Sequence, residues 1–112
     1  MEEGEAANGK SLGMTESVLR YGLFGVGRCG CVHGEVLMAQ GQRLVALGDE
    51  NPNALASAVR RLGVRGAATF TDAFSMARSG TIDAVVISSH TKDHARDAEP
   101  FVRAGKIGRA HV

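Results

Sequence analysis

Residues 21–30 read Tyr-Gly-Leu-Phe-Gly-Val-Gly-Arg-Cys-Gly, a short apolar run that breaks into three glycines spaced G-x-G-x-x-G. Few patterns constrain a chain more. A strand must end in a turn so tight that Gly25 can make it, and a helix must begin at once. Gly30 lets that helix pack closely on its strand, and Gly27 lets backbone approach a pyrophosphate with no Cβ in the way. The N–H groups that open the helix then face an anion, and the helix dipole adds to the attraction. With 15 glycines in 112 residues the spacing is not decisive by itself, so its surroundings have to carry the reading.

The surroundings repeat a strand–helix rhythm. A strand over 21–24 leads into a helix predicted from Arg28 to Gln40, with Val32, Val36, Leu37 and Met38 turned toward a sheet and Gly41 closing it. Arg43 to Leu47 is a second strand. Asp49 stands at its end, nineteen positions beyond Gly30. A dinucleotide fold places at that point the acidic residue that accepts hydrogen bonds from the adenosine ribose. Asp49-Glu50-Asn51-Pro52 is also good turn chemistry, and an acidic residue before a helix favours its N-terminus.

Asn51 or Asn53 caps a second helix through Leu55, Ala58, Val59 and Leu62, with Pro52 in its first turn and Gly63 ending it. Val64 to Phe70 reads as a weaker third strand, and Thr71 or Asp72 caps a short helix over Ala73, Phe74, Met76 and Ala77. The most hydrophobic run, Ile82-Asp-Ala-Val-Val-Ile87, lacks the alternation of a half-exposed strand and fits a parallel sheet covered on both faces. A helix is expected from Lys92 to Ala104, ended by Gly105. Crossovers of this length permit only parallel pairing, so the expected fold class is α/β, a doubly wound parallel sheet with strand order 3-2-1-4. The loops at Gly25 to Gly30, at Asp49 and at Ser88 to His94 then converge on one crevice outside the carboxyl ends of the strands.

Composition narrows the classes of partner. A net charge of +1 offers no electrostatic case for nucleic acid or an anionic membrane, and 4% aromatic residues leave no material for base stacking. Cys29 and Cys31 are too close for an ordinary structural disulfide and lack the further ligands of a zinc site, so both read as free thiols in a reducing, cytoplasmic setting. Residues 1–19, rich in Glu and Gly, read as a flexible tail without the basic-then-apolar order of a signal peptide.

The segment from Arg20 to Lys106 resembles the N-terminal domain of the Gfo/Idh/MocA oxidoreductases, the family of inositol 2-dehydrogenase and glucose-fructose oxidoreductase. The resemblance rests on the glycine loop followed by His33, on Leu44-Val-Ala-Leu-Gly-Asp49, on Ile82-Asp-Ala-Val-Val-Ile87, on His94 and on Ala104-Gly-Lys106. It implies a nicotinamide cofactor, NAD, bound by Gly25, Gly27, Arg28 and Gly30, with Asp49 on the adenosine ribose and Ser88, Ser89 and His90 against the nicotinamide half. Members often carry proline where this chain has His90. His94 resembles a position used near the nicotinamide end, although a histidine at an exposed helix start would look the same. His33 reads as a packing or hydrogen-bonded residue.

The family's Glu-Lys-Pro motif, whose lysine works at the catalytic centre, and its substrate domain have no counterpart in this sequence, so no catalytic residue is assigned and Lys106 is not the catalytic lysine. Residues 107–112, Ile-Gly-Arg-Ala-His-Val, make a poor fifth strand because Gly108 and Arg109 interrupt it. They are also what a common sequencing adapter, ATCGGAAGAGCACACGTC, encodes, and are expected to be non-native. The resemblance implies an NAD-dependent parent acting on a polyol, cyclitol or sugar hydroxyl, with homo-oligomerisation of that parent left open. A dinucleotide-binding sensor module without chemistry is the alternative. A methyltransferase-like domain would share the glycine loop but not His94 or Ala104-Gly-Lys106.

Overall fold

The computed structural model describes residues 19–110. Five parallel strands, β1 (Arg20–Phe24), β2 (Arg43–Gly48), β3 (Ala68–Phe70), β4 (Ala84–Ile87) and β5 (Ile107–Ala110), form one sheet in the order β3-β2-β1-β4-β5. Helices α1 (Arg28–Ala39), α2 (Pro52–Leu62), α3 (Ala73–Arg78) and α4 (His94–Arg103) fill the crossovers, and a single 3₁₀ turn, Thr91–Asp93, precedes α4. This is the doubly wound architecture expected from the sequence.

Two cores result, one on each face. On the first, Leu23, Leu44, Leu47 and Val86 pack under α1 and α2 with Leu37, Leu55 and Leu62. On the second, Phe24, Ala46, Val85 and Ile87 meet Met76, Ile82 and Phe101. β4 is buried along its whole length, as a strand covered on both faces must be. Each of Val85, Val86 and Ile87 contributes about 1.5–3 kcal/mol through its burial.

The caps follow the local chemistry. The Asn51 side chain accepts from the amides of Asn53 and Ala54, and Asp72 accepts from that of Ser75. Gly63 closes α2 at φ 68°, in the left-handed region.

Several expectations need correction. α1 does not lie on the sheet through Val32, Val36 and Met38, which are exposed; its buried positions are Gly30, Cys31, Gly34 and Leu37. The helix approaches too closely for larger groups on that face: a Cβ at Gly34 would stand 3.0 Å from Leu62 Cδ1 and 3.3 Å from Leu23 Cδ2. Phe74 is likewise exposed, resting against the Arg78 guanidinium 5.2 Å from its ring centre. β3 is shorter than the run from Val64 suggested. Residues 107–110 do form a strand, with Ala84 opposite Ile107 and Ile87 opposite Ala110. A parallel ladder is made by backbone N–H and C=O groups, and Gly108 and Arg109 supply theirs despite low strand propensity. Of the expected flexible tail, residues 1–18 lie outside the described residues, while Leu19 packs half-buried against the first core. His111 and Val112 also lie outside them.

Candidate functional site

The chain leaves β1 through a loop that only glycine can build. Gly25 has φ 97°, and a Cβ there would meet Ser89 N at 2.5 Å and the Ser88 carbonyl carbon at 2.6 Å. A Cβ on Gly30 would fall 1.9 Å from Gly25 O. Gly27 differs: nothing lies within 4 Å of its absent Cβ, so the space there is open. Gly27 is also the N-cap of α1, and neither a side-chain cap nor an acidic residue occupies the first turn. The amides of Arg28, Cys29 and Gly30 have no acceptor within the helix and remain available to an anion. Arg28 adds a positive charge at the mouth.

Asp49 joins this loop to the end of β2. Its Oδ2 accepts the Val26 amide and its Oδ1 the Asn51 amide, each at 2.9 Å. A carboxylate has about four acceptor positions, so two remain for a ligand. Ser88 continues the ladder of β4, its amide donating to Phe24 O at 2.7 Å, which sets the following loop opposite the glycines.

A crevice of about 420 Å³ opens between these loops. Gly25, Gly27, Arg28, Gly30, Asp49, Ser88, Ser89 and His90 all line it, so the structure gathers eight residues proposed from sequence. His94 does not. Its Nε2 donates to the Ser89 carbonyl at 2.6 Å, tying the loop after β4 to the first residue of α4. His33 is half-buried on α1 and outside the crevice.

Sequence reasoning missed the opposite wall, made by Glu50, Asp93, Arg96 and Asp97. Arg96 donates through Nη2 to Glu50 Oε2 at 3.0 Å and through Nε to Asp97 Oδ1 at 3.1 Å, bridging α4 to the loop after β2. A signal was present: Asp93, Arg96 and Asp97 are spaced i, i+3, i+4 and so share a helix face. Of the two thiols, Cys29 is exposed and lines the crevice, whereas Cys31 is buried and donates to Val26 O at 3.4 Å. Burial pushes the Cys31 thiol above its ordinary pKa, which keeps it protonated. Among the described residues, no cluster of three or more His, Cys, Asp or Glu could hold a metal ion, and no helix is long and apolar enough to cross a membrane.

The model of an oxidoreductase family with an NAD-binding Rossmann fold, GFO_IDH_MocA, matches residues 19–112. The chain belongs to the Gfo/Idh/MocA family. Within it, inositol 2-dehydrogenase of Rhizobium meliloti (strain 1021) is 43% identical over 90 residues, a match covering 79% of this chain and 26% of that protein. Among solved structures, myo-inositol dehydrogenase from Lactobacillus casei in complex with NAD(H) and myo-inositol superposes with a TM-score of 0.78 at 26% identity, over 84% of this chain and 28% of the other. Scyllo-inositol dehydrogenase from the same organism, with bound NAD(H) and scyllo-inositol, gives 0.74 at 30% identity, over 84% and 28%. The Gfo/Idh/MocA chain described here thus spans about a quarter of these relatives, and corresponds to their NAD-binding Rossmann domain.

A dinucleotide fits the residues present. The open position at Gly27 leaves room for a pyrophosphate against the helix amides, and two residues lining the crevice each carry a buried oxygen, Ser89 Oγ and Asp97 Oδ2, without a hydrogen-bond partner.

Proposed function

We propose that this chain is the cofactor-binding part of an NAD-dependent dehydrogenase that acts on a ring or chain hydroxyl of a cyclitol, polyol or sugar. The inositol dehydrogenases it resembles, crystallised with NAD(H) and inositols, support the substrate class. In this reading the amides of Arg28, Cys29 and Gly30 bind the pyrophosphate, with Gly25 and Gly30 shaping the turn and Arg28 adding charge. Asp49 accepts from the adenosine ribose with the lone pairs left over from Val26 and Asn51. Ser88, Ser89 and His90 wall the nicotinamide half, and His94 positions them through the Ser89 carbonyl rather than by touching the cofactor. Bound NAD supplies the hydride acceptor at its nicotinamide ring. This chain's own task is to bind and orient.

The observation that carries the proposal is the hydrogen bond from the Val26 amide to Asp49, which ties the open Gly27 position to the acid at the end of β2 and so supports an anion cradle and a ribose acceptor acting side by side. Fluorescence titration with NADH tests it. Saturable one-to-one binding is expected, abolished by Gly27→Val, which fills the cradle. Binding unchanged in that variant would contradict the proposal.

A further inference from the structure

Buried carboxylate oxygens without partners are costly, so each calls for an explanation such as a water, an ion or a ligand. Among the described residues two buried side-chain oxygens lack a partner, and both belong to residues lining the crevice. Ser89 Oγ lies in the loop already assigned. Asp97 has no role so far, although its side chain is only 5% exposed. Arg96 holds its Oδ1 and leaves Oδ2 free of any donor.

Position narrows what Oδ2 could accept. Arg96 bridges Asp97 to Glu50, the neighbour of Asp49. The carboxylate therefore stands on the side of the crevice tied to the end of β2, where Asp49 is proposed to hold the adenosine ribose. With the pyrophosphate at Gly27 and the ribose at Asp49, as proposed above, the base would be left to the part of the crevice lined by Glu50, Arg96 and Asp97. Adenine carries an exocyclic amine, a donor that suits a carboxylate without one, and a π face that suits a guanidinium. The Arg96 guanidinium is 57% exposed, and a shift off Asp97 that keeps its bond to Glu50 would uncover the carboxylate and lay the guanidinium on the ring.

We propose that Asp97 and Arg96 read the adenine base: the N6 amine donates to Asp97 Oδ2, and Arg96, anchored by Glu50, covers the ring. This rests on the NAD-binding reading above and adds to it a determinant of base identity. It has a direct chemical consequence. Hypoxanthine carries a carbonyl where adenine carries the amine, so it presents an acceptor to an acceptor.

The test compares dissociation constants of NAD and nicotinamide hypoxanthine dinucleotide by calorimetry, for the native chain and Asp97→Asn. The native chain should prefer NAD by about tenfold or more. Asn at 97 offers an N–H₂ to the hypoxanthine carbonyl, so the ratio should fall to near one or reverse. Arg96→Ala should weaken both dinucleotides alike. A native ratio near one overturns the proposal whether or not the variant folds, as does an Asp97→Asn chain that keeps the native ratio. Failure of the native chain to bind NAD at all would instead overturn the NAD-binding reading.

Discussion

The Asp49 carboxylate accepts the Val26 amide at 2.9 Å, so the acid that ends β2 and the glycine loop that follows β1 form one hydrogen-bonded unit. The position of each is fixed by the other. A substitution on either side should be felt in cofactor affinity even where it leaves the fold intact.

The three glycines should separate by what they cost. Gly30→Ala forces a Cβ into Gly25 O, and Gly25→Ala combines a clash with Ser89 N with a φ of 97° that L residues avoid. Both should lower thermal stability as well as NADH binding. Gly27→Ala meets nothing in the protein, so its melting temperature should stay close to that of the native chain while NADH affinity falls. Equal destabilisation by all three would show that Gly27 is not kept open for a ligand.

The two thiols should react at different rates. Cys29 is exposed in the crevice, whereas Cys31 is buried, hydrogen-bonded to Val26 O and held protonated by its surroundings. N-ethylmaleimide followed by peptide mass mapping should label Cys29 first, and saturating NAD should slow that labelling. Labelling of Cys29 indifferent to NAD would place the pyrophosphate elsewhere.

An acid-sensitive tie joins the start of β1 to Asp83, the residue before β4. Arg20 donates to Asp83 through Nε at 3.1 Å, through Nη2 at 3.0 Å and through its own amide at 2.9 Å. These bonds, the side-chain ones first, push the Asp83 carboxyl down to about 2 from an ordinary 3.8. A carboxyl depressed by folding adds stability above its unfolded value, and that stability disappears as pH falls toward the folded one. The native chain should therefore lose stability between pH 4 and pH 2 more steeply than Asp83→Asn, by a modest margin because both side chains are more than a third exposed. Parallel melting curves of the two across that window would deny the pair any role.

β5 shields the edge of β4. Ending the chain at Lys106 should expose the backbone groups of Ala84 to Ile87, an uncharged apolar run that templates intermolecular pairing. Size-exclusion chromatography should show the shortened chain associating, with a lower melting temperature than the 112-residue chain. A monomer of undiminished stability would mean that the β4–β5 ladder contributes little.

What could be read from sequence follows from where the information is local. Glycines that must turn, a capping Asn51 and an uninterrupted Ala84 to Ile87 announce themselves, because the backbone or the period demands them. α1 misled because its contact face is built from what is missing: Gly30 and Gly34 approach the sheet by lacking side chains, while Val32 and Val36 attract notice and face outward. The fifth strand was obscured because ladder pairing draws on backbone groups that propensity does not describe. The wall formed by Arg96 and Asp97 depended on a long-range bond to Glu50, 46 residues away, and no local pattern encodes such a partner.

The glycine loop after β1 and Asp49 at the end of β2 are proposed to act together, as the anion cradle and the acidic ribose acceptor for NAD. Calorimetric titration of the chain with NAD and NADP, repeated on Asp49→Ala, tests this pairing most directly. The Asp49 carboxylate should accept from the ribose 2′-hydroxyl and repel a 2′-phosphate. NAD should therefore bind more tightly than NADP, and Asp49→Ala should weaken NAD by about 1.5–3 kcal/mol while narrowing the gap between the two. Equal or tighter binding of NADP by the native chain, or an NAD affinity indifferent to the loss of Asp49, would contradict it.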